Sequence, residues 1–167
     1  EVRFDVIKGN ISEIAYLAEG IGTTKGVDAN LDALSTEGNL SWHTDLARKV
    51  SAQTGAAIVI SGPIDIVADS HEAWAIRNGH PMMANITGTG CMSAGVIGCC
   101  VGADPQALLP SCVCAMSAMG ICGELAYEKL LSVDGGSGTY RVLLMDAMSK
   151  LDGTTLTHRS KAERLRI

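Results

Sequence analysis

Aromatic residues are scarce in this chain: one Phe, two Trp and three Tyr in 167 residues, or 4%. Its core must therefore be built from Ala, Val, Ile, Leu, Met and Gly, a composition that suits helices lying close against a sheet. Hydrophobic residues reach 47%, enough to fill such a core, and the length fits one domain better than two. A basic stripe is also lacking. The formal net charge is −5 and the pI near 5.3, which excludes the clustered Lys and Arg of a nucleic-acid surface. One basic cluster exists, "HRSKAERLR" at 158–166, but a glutamate interrupts it and it reads as a solvated C-terminal end. Spanning segments of the usual kind are missing as well. The uncharged stretches 81–103 and 105–123 are long enough to cross a bilayer. The first carries five glycines with Asn85, Thr87 and Thr89, and the second carries Pro110 and small polar residues. Neither has the Leu, Ile and Phe density or the basic flanks of a membrane helix, so both read as buried helices of a soluble domain without a membrane.

The six cysteines form no CxxC pair, and no His stands at zinc-ligand spacing to them. Cys99, Cys100, Cys112, Cys114 and Cys122 sit among apolar residues and read as small core hydrophobes. Cys91 differs because its neighbours are glycines and threonines. No signal peptide opens the chain at Glu1, so a reducing, cytoplasmic setting is expected.

What the chain does have is alternation. "VRFDVIKGN" reads as a strand, then "ISEIAYLAEG" as a helix with Ile11, Ile14, Ala15 and Ala18 on one face and Gly20 as its stop. An irregular segment covers 21–40, and a helix is predicted from about Trp42 to Thr54, closed by Gly55. "AAIVIS" at 56–61, bounded by glycines, has the continuous apolar character of a strand buried on both faces. "DIVADS" and "EAWAIRNGH" read as further strands, with Asn78-Gly79 a tight-turn signal. Helices are expected at about 90–101 and 105–131, the second started by Asp104-Pro105. "DGGSGTY" reads as a loop and "RVLLMDAMSKLDG" as a last helix. The pattern predicts an α/β fold with a largely parallel sheet. The abrupt start on a strand points to the C-terminal portion of a longer domain.

The chemistry concentrates in "TGTGC", Thr87 to Cys91. Glycines let successive backbone N–H groups converge on one point, and a following helix adds the positive end of its dipole. Such a concavity stabilises an anion, most often a phosphate. The same end of a helix favours a thiolate over a thiol. A plain strand-to-helix turn explains the glycines equally well on pattern alone. No GKS or GKT follows, so this is not a Walker loop, and it is not a dinucleotide GxGxxG.

"AIRNGHPMMANITGTGCMSAGVIGCCVG" resembles the signature region of the hydroxyethylthiazole kinase family, thiamine-salvage enzymes with a ribokinase-like fold. "VIKGNISEI", "KGVD" at Lys25 to Asp28, "VISGPIDIVAD" and "GSGTYRVLLMDAMSKL" resemble other segments of that family, so the likeness covers nearly the whole chain, from about Ile7 to Leu151. It extends to the C-terminal portion of the family's single domain; the N-terminal part, with thiazole-contacting residues and an aspartate near the metal, is absent. The resemblance implies an ATP-dependent kinase acting on the primary hydroxyl of 5-(2-hydroxyethyl)-4-methylthiazole, with Mg²⁺, in a cytoplasmic homotrimer. It places Cys91 as the catalytic base, where many ribokinase-like enzymes carry aspartate. Thr87, Gly88, Thr89 and Gly90 would form the anion hole for the transferring phosphoryl, with Gly88 also against the thiazole. Lys8 stands where the family usually has an ATP-contacting arginine, keeping the charge and losing the bidentate fork. Ser61 matches a nucleotide-contacting threonine, Asn10 and Glu13 form the Asn-x-x-Glu pair that helps hold hydrated Mg²⁺, and Pro63 replaces an acidic residue.

Three other readings compete. A ribokinase-like kinase of another small alcohol, a pyrimidine or a sugar, would share the loop. A thiol enzyme would use Cys91 as nucleophile, but needs a partner base that the turn-like positions of His71 and His80 do not promise. A non-catalytic nucleotide-binding fragment would keep the cradle without the chemistry.

Overall fold

The computed structural model describes residues 2–20 and 36–166. The segment 21–35, with the Lys25 to Asp28 motif, lies outside the described residues. Strand β1 (Val6–Asn10) runs straight into helix α1 (Ile11–Gly20). Helix α2 (Leu40–Thr54), strands β2 (Ala57–Ser61), β3 (Asp65–Ala68) and β4 (Ala73–Ile76) and a short 3₁₀ turn (Pro81–Asn85) follow. Helices α3 (Thr89–Ala103), α4 (Leu108–Leu130), α5 (Ser137–Lys150) and α6 (Gly153–Arg159) and strand β5 (Ala162–Arg164) complete the described chain.

The α/β class is as expected. The sheet is mixed rather than largely parallel: it is ordered β1-β2-β3-β4-β5, with β1 and β2 parallel and the other three pairings antiparallel. Connection length is the reason. A parallel return needs a crossover of a dozen or more residues. α1 and α2 provide one between β1 and β2, whereas residues 62–64 and 69–72 leave room only to double back.

Side-chain alternation along each strand splits the core into layers. Ile58, Ile60, Ile66 and Ala75 face α1 and α2, joined by the predicted stripe of Ile11, Ile14, Ala15 and Ala18. Ala57, Val59, Val67 and Ile76 face α3 and α4. β2 is buried along Ala57 to Ile60, as its unbroken apolar run requires. A third cluster joins α4 and α5 around Tyr140, whose hydroxyl donates to the Gly123 carbonyl at 2.9 Å. That anchor explains why α5 starts inside the glycine-rich stretch read as a loop. Helix α4 has the length and apolarity to cross a membrane, and most of its apolar window is buried inside the fold.

Two expectations are corrected at the C-terminal end. Residues after 150 form α6, capped by Asp152 accepting from the Thr155 amide at 2.7 Å, and then β5 on the sheet edge. Ion pairs of Arg77 with Glu163 and Arg164 with Glu72 flank β5; the cluster is solvent-exposed as read, but its charges belong to an edge strand that the reading did not include. Asn78-Gly79 is not a hairpin turn. Asn78 is buried; its Nδ2 donates to Glu124 Oε1 and the Arg159 carbonyl, and its Oδ1 accepts from the Lys161 amide. It ties the end of β4 to α4 and to β5. Among the cysteines, Cys112 and Cys122 are buried, with burial pushing both thiols up to about 11, but Cys99 is exposed rather than in the core.

Candidate active site

The site lies on the α3/α4 side of the sheet, beyond the ends of β1 and β2. Alternation puts Val6 in the cluster under α3 and α4 and Ile7 in the opposite one, so Lys8 and Asn10 belong to the same side as Val6. Register sets Lys8 opposite Val59 and Asn10 opposite Ser61. Three of the predicted residues thus meet at neighbouring positions although about fifty residues separate the strands.

The glycine loop arrives from across the sheet. Gly88 sits at φ +99° as the N-cap of α3, a left-handed conformation that side chains other than glycine adopt reluctantly. No side chain caps α3, leaving its first-turn amides to the open end of the helix. Thr89, Gly90 and Cys91 are the first three residues of that helix, and Thr89 Oγ1 donates to the Met83 carbonyl at 3.4 Å. Thr87, before the cap, is exposed. Lys8 closes the arrangement: its Nζ donates to the Gly90 carbonyl at 3.2 Å, which also accepts from Ser93 Oγ at 2.8 Å. The lysine expected on the phosphates and the loop expected to cradle them are therefore in contact. Cys91 is exposed at the head of α3.

Asn10 and Glu13 hold each other. The Glu13 amide donates to Asn10 Oδ1 at 2.9 Å, and the Asn10 amide to Glu13 Oε2 at 2.8 Å, a reciprocal capping box at the start of α1. One carboxylate oxygen is occupied in this way, so the pair suits a hydrated Mg²⁺ that keeps its waters better than a dehydrated one. Among the described residues no group of three acidic, His or Cys side chains could hold a metal by itself, so water and phosphate oxygens would have to complete the shell. Ser61 Oγ reaches the Gly9 carbonyl at 3.4 Å, a long bond that leaves its hydroxyl able to turn.

A cavity of about 520 Å³ opens beside these residues, lined among others by Ser61, Gly62, Thr89, Gly90, Met119 and Asp65. Asp65 was not among the expected site residues. Its Oδ1 accepts from the Gly62 amide at 2.9 Å, pinning the turn after Ser61. Burial pushes its carboxyl from the ordinary 3.8 up to about 7, against the opposing pull of the Gly62 amide and the Lys8 charge. The sequence carried a faint signal for it: an acid opening a strand that is otherwise wholly apolar. Because folding raises this group's affinity for a proton, the native state binds more protons than the unfolded chain between about pH 4 and pH 7. Stability should decline as pH rises through that window and level off above it, and Asp65→Asn should remove that part of the decline in urea titrations. An unchanged pH slope in the variant would contradict the placement.

Comparison with known proteins gives the family. A family model described as "Hydroxyethylthiazole kinase family" matches residues 1–154. The chain belongs to the hydroxyethylthiazole kinase family. Within it, "Hydroxyethylthiazole kinase" of Desulfovibrio desulfuricans is 50% identical over 174 residues, covering 100% of this chain and 61% of the relative. "Hydroxyethylthiazole kinase" of Clostridium acetobutylicum is 44% identical over 163 residues, covering 98% and 59%. The solved structure of the hydroxyethylthiazole kinase protein from Pyrococcus horikoshii OT3 superposes with a TM-score of 0.78 at 25% identity, over 97% of this chain and 55% of that one. The chain thus spans about three-fifths of the length of these curated members of the hydroxyethylthiazole kinase family.

Proposed function

We propose that this chain carries the phosphoryl-transfer part of a hydroxyethylthiazole kinase, the C-terminal portion of one ribokinase-like domain, with ATP as donor and 5-(2-hydroxyethyl)-4-methylthiazole as acceptor. The observation that carries the reading is the contact of Lys8 with Gly90 at the uncapped head of α3, beside the cavity.

Each part has work to do. Amides at the start of α3, released toward the cavity by Gly88, bind the equatorial oxygens of the γ-phosphoryl, where charge spreads during transfer. Lys8 has three N–H donors and spends one on Gly90, so its charge reaches a phosphate without breaking that bond. Ser61 donates to a phosphate oxygen of the nucleotide. Cys91, one residue beyond Gly90, accepts or orients the proton of the attacking hydroxyl. Asn10 and Glu13 would hold water ligands of a Mg²⁺ ion, which supplies neutralisation of phosphate charge when bound. The homotrimer and cytoplasmic location implied by the resemblance belong to this reading, as does a core rather than membrane role for α4, supported by its burial among the described residues.

A coupled assay of ADP release by the full-length parent protein tests it. ADP should form in proportion to added thiazole alcohol and stay at background with pyrimidine or sugar alcohols. Release that is indifferent to the thiazole, or that follows a sugar instead, would contradict the proposal.

A further inference from the structure

Among the described residues, Asp65 is the one acidic side chain lining the cavity into which the phosphates are proposed to enter. It is 9% exposed and stands at the start of β3, where its Oδ1 holds the Gly62 amide and so fixes the turn that presents Ser61. An ionised carboxylate beside a polyphosphate would oppose binding, and a neutral carboxyl would not. We propose that Asp65 is a positioning residue whose carboxyl admits nucleotide phosphates in its protonated form and repels them once ionised. This inference rests on the kinase reading of the same cavity and adds a proton-linked control of nucleotide affinity to it.

The charges around Asp65 leave it in that role. From β1 comes Lys8, the cation nearest in effect, but its Nζ is engaged with the Gly90 carbonyl and no ion pair to Asp65 forms among the described residues. β4 opposes Asp65 with Ile76, and α3 and α4 bring Gly90, Ser93, Met116 and Met119 to the cavity, none of them charged. His80 also lines it, but its Nδ1 accepts from the Met82 amide and its ring stacks on Tyr127 with centroids 3.5 Å apart. The ionisable groups of α2, His43, Asp45, Arg48 and Lys49, belong to the helix layer on the opposite face of the sheet. Burial places the titration of Asp65 at about 7, within the working range of an ordinary cell.

Calorimetric binding of metal-free ADP to the full chain and to Asp65→Asn tests this, at pH values about 1.5 units below and above that midpoint. Asparagine keeps the shape and an oxygen for the Gly62 amide while holding no charge. Native affinity should fall about tenfold from the acid to the alkaline side, within the usual range of coupling between sites. The asparagine variant should change by less than about twofold from this source, since the nucleotide itself titrates equally in both experiments. Carbon-detected NMR of the native Asp65 carboxyl gives an independent reading that no folding defect can mimic: by linkage, ADP should raise its midpoint by about one unit. Parallel pH profiles in the two proteins, or a carboxyl midpoint that ADP leaves in place, would overturn the inference alone. No ADP binding by the native chain at either pH would overturn the kinase reading together with it.

Discussion

Replacing Cys91 with alanine should lower kcat by about 10²- to 10⁴-fold, the usual contribution of a positioned general base, while nucleotide affinity should stay nearly unchanged. The split follows from position. Cys91 is exposed at the head of α3, while the amides of Thr89 and Gly90 and the Lys8 ammonium, proposed to meet the phosphates, are untouched by the substitution. Cys91→Asp retains a substantial part of the rate, because a carboxylate at the same point can take the same proton. These two variants also separate the kinase from a thiol enzyme. A nucleophilic cysteine would leave a covalent adduct with substrate that protects it from iodoacetamide, and aspartate could not replace it. Steady-state kinetics on both variants decide the matter: full turnover in the alanine variant, or a dead aspartate variant, removes Cys91 as base.

The second large effect concerns stability. Gly120 lies where α4 crosses the end of β4, and a Cβ built on it would stand 2.6 Å from the carbonyl carbon, the oxygen and the Cβ of Asn78. Neither side can give way cheaply. Asn78 is held by Glu124, the Arg159 carbonyl and the Lys161 amide, and α4 is packed along its length against the sheet and α5. Gly120→Val should therefore cost about 3 kcal/mol or more, at the upper end of what overpacking does. For a chain of this size that corresponds to a fall of roughly 6–12 °C in Tm. Since Asn78, Gly79 and Gly120 all line the cavity, nucleotide affinity should fall with it. A valine variant melting within about a degree of the native chain would show that α4 and the 77–80 segment can part more easily than their hydrogen bonds indicate.

How far the sequence foretold this arrangement varies by element, for physical reasons. β2 was legible because a strand covered on both faces must be apolar at every position. The stripe on α1 was legible because helix period and burial coincide at Ile11, Ile14, Ala15 and Ala18. The TGTGC loop was legible as a helix start, but its pattern alone fitted a plain turn as well as an anion cradle, and only the resemblance to the family separated the two. The antiparallel order of β3 and β4 was not read, although the brevity of residues 62–64 excludes a crossover. β5 escaped notice because an exposed edge strand of Ala, Glu and Arg carries no apolar alternation; its partner supplies the reason for its conformation. Asn78-Gly79 has the composition of a turn, but what decides its role is long-range: Glu124, Arg159 and Lys161 are remote in the chain. Asp65 was missed for a related reason. An acid in a strand is ordinarily solvent-facing, and only the packing of α4 over β3 turns it inward.

The central claim is that phosphate meets the amides at the head of α3 with the Cys91 sulfur alongside. A crystal structure of the full chain with a non-hydrolysable ATP analogue and the thiazole alcohol measures it directly. The terminal phosphate should lie within hydrogen-bond distance of the backbone between Gly88 and Cys91 and of Lys8 Nζ, with the alcohol oxygen next to the sulfur. A terminal phosphate bound away from that turn, or an alcohol whose hydroxyl faces away from Cys91, would contradict the account.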